Sequence, residues 1–305
     1  MTSKVVLVTG GTSGIGCEAA LRLAEEGAIV LFTGRDREAG QEVLSAVRDA
    51  HPESEGDFYP ADFADFAAVR ELAREVRADY DRLDALVNNA GTSQSHRRTT
   101  DEGVELTFAV NHLAPFLLTN LLAPRLRESA PARTVNTTSA LHEDGSLSDV
   151  EAVVRGERGD GGAFDGLDAY ADSKLANVLF TVELADRLAG TGVTANCVHP
   201  GWLPQTGLVR NATGFSRVFT GAAAFVAGIA PVGPFESVAD AGDTLAYLAT
   251  SDEVADVSGA YFDRRERTSP AEIAGDEALR RLVWERSAEL VGLPASVPED
   301  DPLAE

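Results

Sequence analysis

Tyr170 and Lys174 are spaced so that a helix would place both side chains on one face. They form a Y-x-x-x-K pair, and Lys174 is one of only two lysines in a chain of 305 residues. Residues four positions apart lie about one turn from each other on a helix surface. Because a neighbouring positive charge favours a phenolate, we expect Lys174 to lower the pKa of Tyr170 from its usual value of about 10. The phenol would then be a usable acid and base, although the spacing also fits an ordinary surface pair.

A glycine-rich turn follows the first apolar run of the chain. It reads T-G-G-T-S-G-I-G over 9–16, and a helical pattern begins within it. Glycines let the backbone approach a pyrophosphate closely, and the positive end of the following helix attracts the phosphates. The spacing G-x-x-x-G-x-G differs from the common G-x-G-x-x-G, so the strand, turn and helix context carries the interpretation. We expect the turn to bind a dinucleotide through Gly10, Thr12, Ser13, Gly14, Ile15 and Gly16.

The end of the second predicted strand indicates which dinucleotide is bound. An acidic residue there would hold the ribose 2′-hydroxyl of NAD, but the chain reads Thr33-Gly34-Arg35. Arg35 can instead pair with a 2′-phosphate, so NADP(H) is preferred and NAD(H) is the alternative. We interpret Asp36 as the N-cap of the next helix.

Other polar residues occur where strands end or where a helix is otherwise apolar. Asn88-Asn89-Ala90-Gly91 follows a strand, which also fits an ordinary turn, and Asn111 lies in the middle of an apolar helix. Ser139 ends a strand at the edge where parallel sheets hold their ligands. His142 is close enough in sequence to suggest a hydrolase pair with Ser139. That interpretation is disfavoured because no G-x-S-x-G pattern surrounds the serine.

Short β-branched runs alternate with longer helical patterns, which is typical of βαβ units. The sequence therefore predicts an α/β fold with a seven-stranded parallel sheet and helices on both faces. The strands are predicted near 5–8, 28–33, 58–59, 85–87, 134–136, 193–198 and 259–262. The helices are predicted near 15–26, 36–50, 65–80, 101–129, 168–189, 240–250 and 276–291.

The chain is predicted to be one domain over 1–293, because no Pro/Gly/Ser-rich stretch divides it. A long segment at about 205–235 is interpreted as a flap beside the site. Its apolar part, 219–232, is too short to cross a bilayer, so no transmembrane segment is predicted. The acidic tail 294–305 is predicted to be disordered. The start of the chain lacks a signal-peptide pattern, which predicts a cytoplasmic protein.

The charge of the chain excludes one class of partner. There are 49 acidic and 26 basic residues, for a net charge of −23. Such a surface repels phosphate backbones, so no nucleic-acid partner is predicted. Acid excess with few lysines is typical of a halophilic protein, and we expect instability at low salt. Cys17 and Cys197 have no spacing that indicates a disulfide framework or a metal site.

Taken together, the motifs resemble the short-chain dehydrogenase/reductase family. The matching features, in family order, are T-G-x-x-x-G-x-G at 9–16, N-N-A-G at 88–91, Asn111, Ser139, Tyr170-x-x-x-Lys174 and Pro200-Gly201. The likeness covers about residues 4–291 and implies a Rossmann fold. Longer stretches, over 111–119, 170–177, 199–201 and 282–293, resemble the retinol dehydrogenase-like branch.

This resemblance implies a role for each matching residue. Tyr170 would transfer the proton of the carbonyl-derived hydroxyl, and Lys174 would lower its pKa and bind the nicotinamide ribose. Ser139 would orient the substrate oxygen, and Asn111 would support a water-linked proton relay. Further cofactor contacts are implied for Asp62, Asn89, Ala90, Gly91, Pro200, Gly201 and Thr206.

The sequence thus predicts an NADP(H)-dependent oxidoreductase that moves hydride between nicotinamide and a lipophilic alcohol, aldehyde or ketone. The alternative from another class is a redox-sensing regulator that binds the dinucleotide without turnover. Such proteins usually lack the tyrosine or the lysine. A sugar-nucleotide epimerase or dehydratase would be expected to have T-G-x-x-G-x-x-G instead. The resemblance leaves two assemblies open: a homo-oligomer through the helices at 101–129 and 168–189, or a monomer.

Overall fold

A central β-sheet organises the chain. The computed structural model describes residues 3–52, 56–157, 164–202, 237–300 and 302–303. The strand order is β3-β2-β1-β4-β5-β6-β7-β8, with β1 to β7 parallel and β8 antiparallel to β7. The strands are β1 Val5–Val8, β2 Ile29–Gly34, β3 Asp57–Pro60, β4 Ala85–Asn88, β5 Ala132–Thr137, β6 Val193–His199, β7 Tyr261–Asp263 and β8 Glu266–Thr268.

The strand order of the sheet creates a crevice between β1 and β4. From β1 the sheet grows through β2 and β3 on one side and through β4 to β7 on the other. The carboxyl ends of β1 and β4 therefore lead their following loops away from each other, which opens a crevice where such sheets bind ligands. β1, β4 and β5 are buried along their whole length, as expected for strands covered on both faces.

Helices cover both faces of the sheet. They are α1 Gly14–Glu25, α2 Arg37–Ala50, α3 Phe66–Asp79, α4 Leu106–Phe108, α5 Ala114–Glu128, α6 Val150–Arg155, α7 Gly166–Arg187, α8 Val238–Thr250 and α9 Glu277–Leu290. One turn of π-helix, Ala109–Leu113, joins α4 to α5. α1, α2 and α8 pack on one face, and α3, α5, α7 and α9 on the other. Asp36 caps α2 by accepting hydrogen bonds from two backbone N–H groups, which confirms its interpretation as an N-cap.

The seven predicted strands are confirmed, and the sheet has an eighth that the sequence analysis missed. Every residue of β8 is exposed, so no apolar alternation marks it. It pairs antiparallel with β7, so the prediction of an entirely parallel sheet is wrong at this edge. The predicted helix at 101–129 begins only at Leu106.

The C-terminal tail differs from its prediction where the structure describes it. Val297 is 7% exposed and belongs to the core, and Leu303 is partly buried against it. The backbone around it is also held: Arg127 Nη1 donates to the Pro298 carbonyl at 2.7 Å, and Trp284 Nε1 donates to the Ala295 carbonyl at 2.7 Å. The prediction of disorder is therefore wrong for residues 295–298.

The C-terminal helix α9 covers part of the long helices α5 and α7. Trp284 is 1% exposed, with its ring centroid 4.8 Å from that of Phe116 on α5 and 5.8 Å from that of Phe180 on α7. A homo-oligomer through these helices would have to use surface that α9 leaves uncovered. Among the described residues, one stretch is long and apolar enough to span a membrane, Leu106–Glu128, and 94% of its most apolar window is buried inside the fold.

Candidate active site

Tyr170 and Lys174 lie on α7, on the side that faces the carboxyl edge of β5. Lys174 Nζ is 5.4 Å from the centroid of the Tyr170 ring, so the two side chains share one face of the helix as predicted. Lys174 is 3% exposed, and its Nζ donates a hydrogen bond to the Thr137 carbonyl at 3.0 Å. Thr137 ends β5, so the last residue of the strand holds the lysine in place.

The pKa of Tyr170 moves in the direction opposite to the sequence prediction. Burial raises the pKa of the phenol to about 12, although a hydrogen bond with Ser139 opposes that rise. Burial also lowers the pKa of Lys174 to about 8. The prediction that the Lys174 charge lowers the pKa of Tyr170 is wrong. The cost of desolvating the phenolate outweighs the effect of the neighbouring charge. At neutral pH the phenol therefore holds a proton that it can donate.

Ser139 lies two residues after the end of β5 and forms a side-chain hydrogen bond with the Tyr170 phenol. It is 8% exposed, and its Oγ accepts a hydrogen bond from the Leu141 N–H at 3.3 Å. The His142 ring does not reach Oγ: Nδ1 lies 2.7 Å from the Ser139 carbonyl, and Nε2 accepts the Ala271 N–H at 3.0 Å. With both ring nitrogens bound to backbone, His142 cannot deprotonate the serine, which agrees with the rejection of a hydrolase pair.

Asn111 lies in the π-helical turn between α4 and α5. Its Oδ1 accepts the Thr92 N–H at 2.7 Å, and its Nδ2 donates to the Thr92 carbonyl at 2.9 Å and to Ser173 Oγ at 3.0 Å. Ser173 is adjacent to Lys174 on α7. A widened turn is a common feature of functional sites, and here it brings Asn111 against the helix that carries Tyr170 and Lys174.

The glycine-rich turn leaves an open helix end at the sheet crevice. Gly10 and Gly14 have φ of 68° and 56°, a conformation that favours glycine. A Cβ at Gly16 would lie 2.3 Å from the Gly10 carbonyl oxygen, whereas one at Gly14 would meet nothing within 4 Å. Ser13 is the N-cap of α1 but makes no side-chain cap hydrogen bond, and the first turn contains no acidic residue. The N–H groups of this helix end are thus free to bind phosphate oxygens, so the chain fits a dinucleotide.

The N-N-A-G segment holds the glycine-rich turn in place. Thr9 Oγ1 accepts the N–H groups of Asn89 and Ala90, both at 2.9 Å, and Asn89 Nδ2 donates to the Thr9 carbonyl at 3.0 Å. A Cβ at Gly91 would lie 3.4 Å from Asn111 Oδ1. The segment therefore connects the glycine-rich turn to Asn111, which a turn without these contacts would not do.

The remaining predicted cofactor residues lie along the same carboxyl edge. Arg35 is exposed after β2, and Asp62 is exposed after β3, where its Oδ1 accepts the Ala64 N–H at 3.0 Å. Pro200 and Gly201 follow β6, and Gly201 has a φ of 112°. Thr206, the predicted flap at 205–235 and its apolar part at 219–232 lie outside the described residues.

Two further residues, Thr137 and Asn177, contact predicted catalytic ones, and a third, His112, contacts Asn177; sequence reasoning missed all three. Thr137 contributes only its backbone carbonyl, which no side-chain motif signals. Asn177 and His112 are 4% and 0% exposed, and they lie on the two helices that carry Lys174 and Asn111. A polar residue within an apolar helix is a usable signal, and the reasoning applied to Asn111 would have found both.

The fold and these contacts define an α/β dinucleotide-binding protein in which a half-buried phenol lies beside a buried lysine at the crevice of the sheet. The family model described as short chain dehydrogenase matches residues 4–148. Human retinol dehydrogenase 13 is 38% identical over 307 aligned positions, which cover 98% of this chain and 88% of that protein. The chain therefore belongs to the short-chain dehydrogenase/reductase family, together with the retinol dehydrogenases.

Solved structures show the same architecture. An uncharacterized protein from Mycobacterium Paratuberculosis is 28% identical, with a TM-score of 0.71 over 97% of this chain and 95% of that one. A blue fluorescent protein from a metagenomic library, solved in complex with NADPH, is 28% identical, with a TM-score of 0.66 over 86% of this chain and 96% of that one.

Proposed function

We propose that this short-chain dehydrogenase/reductase uses NADP(H) to interconvert a lipophilic alcohol and its aldehyde or ketone. The proposal rests first on the site: a half-buried phenol, a lysine and a serine meet at the crevice beside an open helix end. The lipophilic substrate class is supported by relatives that are named retinol dehydrogenases and by the apolar sequence at 219–232.

The end of β2 is the observation that favours NADP(H). Gly34 is buried against Thr12, and a Cβ at position 34 would lie 2.3 Å from Thr12 Cγ2. An acidic side chain, which would bind the ribose hydroxyls of NAD, cannot enter position 34 without displacing the phosphate turn. The next side chain is Arg35, an exposed cation that can form two hydrogen bonds to a 2′-phosphate.

The chain's own residues supply a proton and an orientation for the reaction. The bound nicotinamide would supply or accept the hydride. Tyr170 would donate its phenolic proton to the carbonyl oxygen during reduction and take it back during oxidation. Ser139 would hold that oxygen, and Lys174 would offset the negative charge that develops on the phenol. Lys174 and Ser139 are 3% and 8% exposed, and an interaction between groups with so little exposure is stronger than it would be in water.

We expect replacement of Arg35 by alanine to reduce kcat/KM for NADPH by roughly 10- to 100-fold and to leave kcat/KM for NADH nearly unchanged. The reason is that only NADPH carries the 2′-phosphate. The measurement is oxidation of each cofactor, followed by absorbance in high salt against medium-chain aldehydes and aromatic ketones. Arg74→Ala on the outer surface of α3 is the matched control, since Arg74 forms an exposed ion pair with Glu71 at 2.7 Å.

Equal losses with both cofactors would mean that Arg35 does not read the 2′-phosphate. Tight binding of NADPH without turnover of any substrate would instead support the non-catalytic regulator.

A high-salt working environment is the second part of the proposal. With 49 acidic and 26 basic residues, self-repulsion opposes folding until salt screens it. We expect the urea midpoint of unfolding to rise steadily as KCl increases from about 0.1 M to about 2 M, over which the Debye length falls from about 10 Å to below about 3 Å. A neutral osmolyte at matched osmolality is the control. A midpoint that does not change with salt would contradict the halophilic interpretation.

A further inference from the structure

A buried amide links the catalytic lysine to Asn111. Asn177 lies on α7, three residues after Lys174, and is 4% exposed. Its Nδ2 donates to the Asn111 carbonyl at 2.9 Å and to the Thr137 carbonyl at 3.4 Å. The Thr137 carbonyl is also the acceptor of Lys174 Nζ. The Asn177 side chain therefore bridges the backbone carbonyls of Asn111 and Thr137.

The orientation of this amide is fixed from its other side. Because Nδ2 faces two carbonyl oxygens, Oδ1 must be the atom that lies 3.2 Å from His112 Nδ1. Burial lowers the pKa of His112 to about 4, so the neutral ring carries its proton on Nδ1 and donates it to Asn177. His112 Nε2 lies 2.8 Å from Ser287 Oγ on α9. The contacts thus run from the C-terminal helix through His112 to Asn177.

Among the described residues, no carboxylate forms an ion pair with Lys174. Its ammonium group is held by an uncharged acceptor, the Thr137 carbonyl. Tyr170 on α7 is neutral at pH 7, and burial lowers the pKa of His112 on the π-helical turn and of His142 after β5, so neither ring is charged there. The buried Asp172 carboxylate on α7 accepts the Ser146 N–H at 2.7 Å. The position of a buried ammonium is then set by the carbonyl that accepts its hydrogen bond.

We propose that Asn177 is a positioning residue for the Tyr170 and Lys174 pair, and that His112 and Ser287 hold its amide in the required orientation. Without the amide, the Asn111 and Thr137 carbonyls lose a buried donor and become free to attract the lysine. Lys174 would shift, and its ammonium form would be favoured. The effect on turnover rests on the proposed function, whereas the effect on Lys174 does not.

The small number of lysines makes a direct test feasible. In protein labelled with ¹³C-lysine, a Lys4→Arg background leaves Lys174 as the single lysine signal, and its pKa is read from an NMR titration without cofactor or substrate. We expect Asn177→Leu to raise the pKa of Lys174 by about half a pH unit or more. We also expect kcat for carbonyl reduction to fall roughly tenfold with little change in KM.

Thr181→Val is the matched control. Thr181 Oγ1 belongs to the same buried network but forms no hydrogen bond with the Asn111 carbonyl or the Thr137 carbonyl in the described part of the chain. It donates to the Asn177 carbonyl at 2.7 Å and accepts from Asn136 Nδ2 at 2.9 Å. We expect this variant to lose stability while Lys174 titrates as in the parent.

Two outcomes would overturn the proposal: no rise in the Lys174 pKa in Asn177→Leu, or an equal rise in Thr181→Val. If Asn177→Leu does not fold, Asn177→Asp keeps the shape of the side chain, and its carboxylate should raise the Lys174 pKa further. An unchanged pKa in that variant overturns the proposal equally. If the parent shows no turnover with any carbonyl, the proposed function fails, but the NMR titration still decides the role of Asn177.

Discussion

Replacing Tyr170 with phenylalanine is expected to reduce carbonyl reduction by about 10³-fold or more, while cofactor affinity changes by less than about threefold. The phenol is protonated at neutral pH, because burial raises its pKa to about 12, and its hydroxyl is the group that the proposed mechanism uses as proton donor. Phenylalanine keeps the ring that packs near Lys174 and removes only the hydroxyl. The measurement is single-turnover oxidation of NADPH, together with cofactor binding followed by fluorescence.

The control for this prediction is the same substitution at Tyr59, a buried tyrosine on β3. Tyr59 is 7% exposed, and its hydroxyl donates to Asp79 Oδ2 at 2.9 Å between β3 and α3. Tyr59→Phe should lose some stability but keep its turnover. If Tyr170→Phe retained activity within tenfold of the parent, a different proton donor would be required, and the assignment of the site would be wrong.

Most of the fold was predictable because its strands and helices carry their own local signals. The parallel strands are continuous apolar runs, and the helices that follow begin at residues able to cap them, such as Asp36 before α2 and Asp65 before α3. β8 has neither property, since it is polar, exposed and three residues long. The chain reverses between β7 and β8 at Arg264, which has a φ of 59°, and no sequence pattern predicts that conformation for an arginine.

The members of the site were predictable, but their energetics were not. Spacing alone placed Tyr170 and Lys174 on one helix face, and the Gly-rich turn was correctly located after β1. The direction of the Tyr170 pKa was wrong because a sequence gives the neighbouring charge but not the degree of burial. The Asn177 contacts were missed for a similar reason: its partner His112, and Ser287 which contacts His112, are far away in sequence. They meet only after the π-helical turn, α7 and α9 have packed.

Replacing Lys174 with methionine is expected to abolish turnover and at the same time to stabilise the fold at pH 7. Burial lowers the pKa of Lys174 to about 8, compared with about 10.4 in an unfolded chain. Since one pKa unit corresponds to about 1.4 kcal/mol, keeping this charge buried costs about 3 kcal/mol. Loss of the hydrogen bond to Thr137 offsets about 1 kcal/mol or more of the gain. We expect the free energy of unfolding to rise by about 1–2 kcal/mol.

The stability gain of Lys174→Met should become smaller as pH rises from about 8 to about 10.4. Below about pH 8 the lysine is protonated in both states, so the full cost of the buried charge is present. Between about pH 8 and pH 10.4 the unfolded chain holds a proton that the folded chain has released, so the parent gains stability relative to the variant as pH rises. Urea unfolding in high salt at pH 7 and at about pH 10 measures the difference. Lys4→Met is the control, since Lys4 is partly exposed and its Nζ donates to the Thr250 carbonyl at 2.6 Å, so its loss should bring no gain. A gain in Lys174→Met that persists unchanged at about pH 10 would show that better packing, and not removal of a buried charge, is the cause.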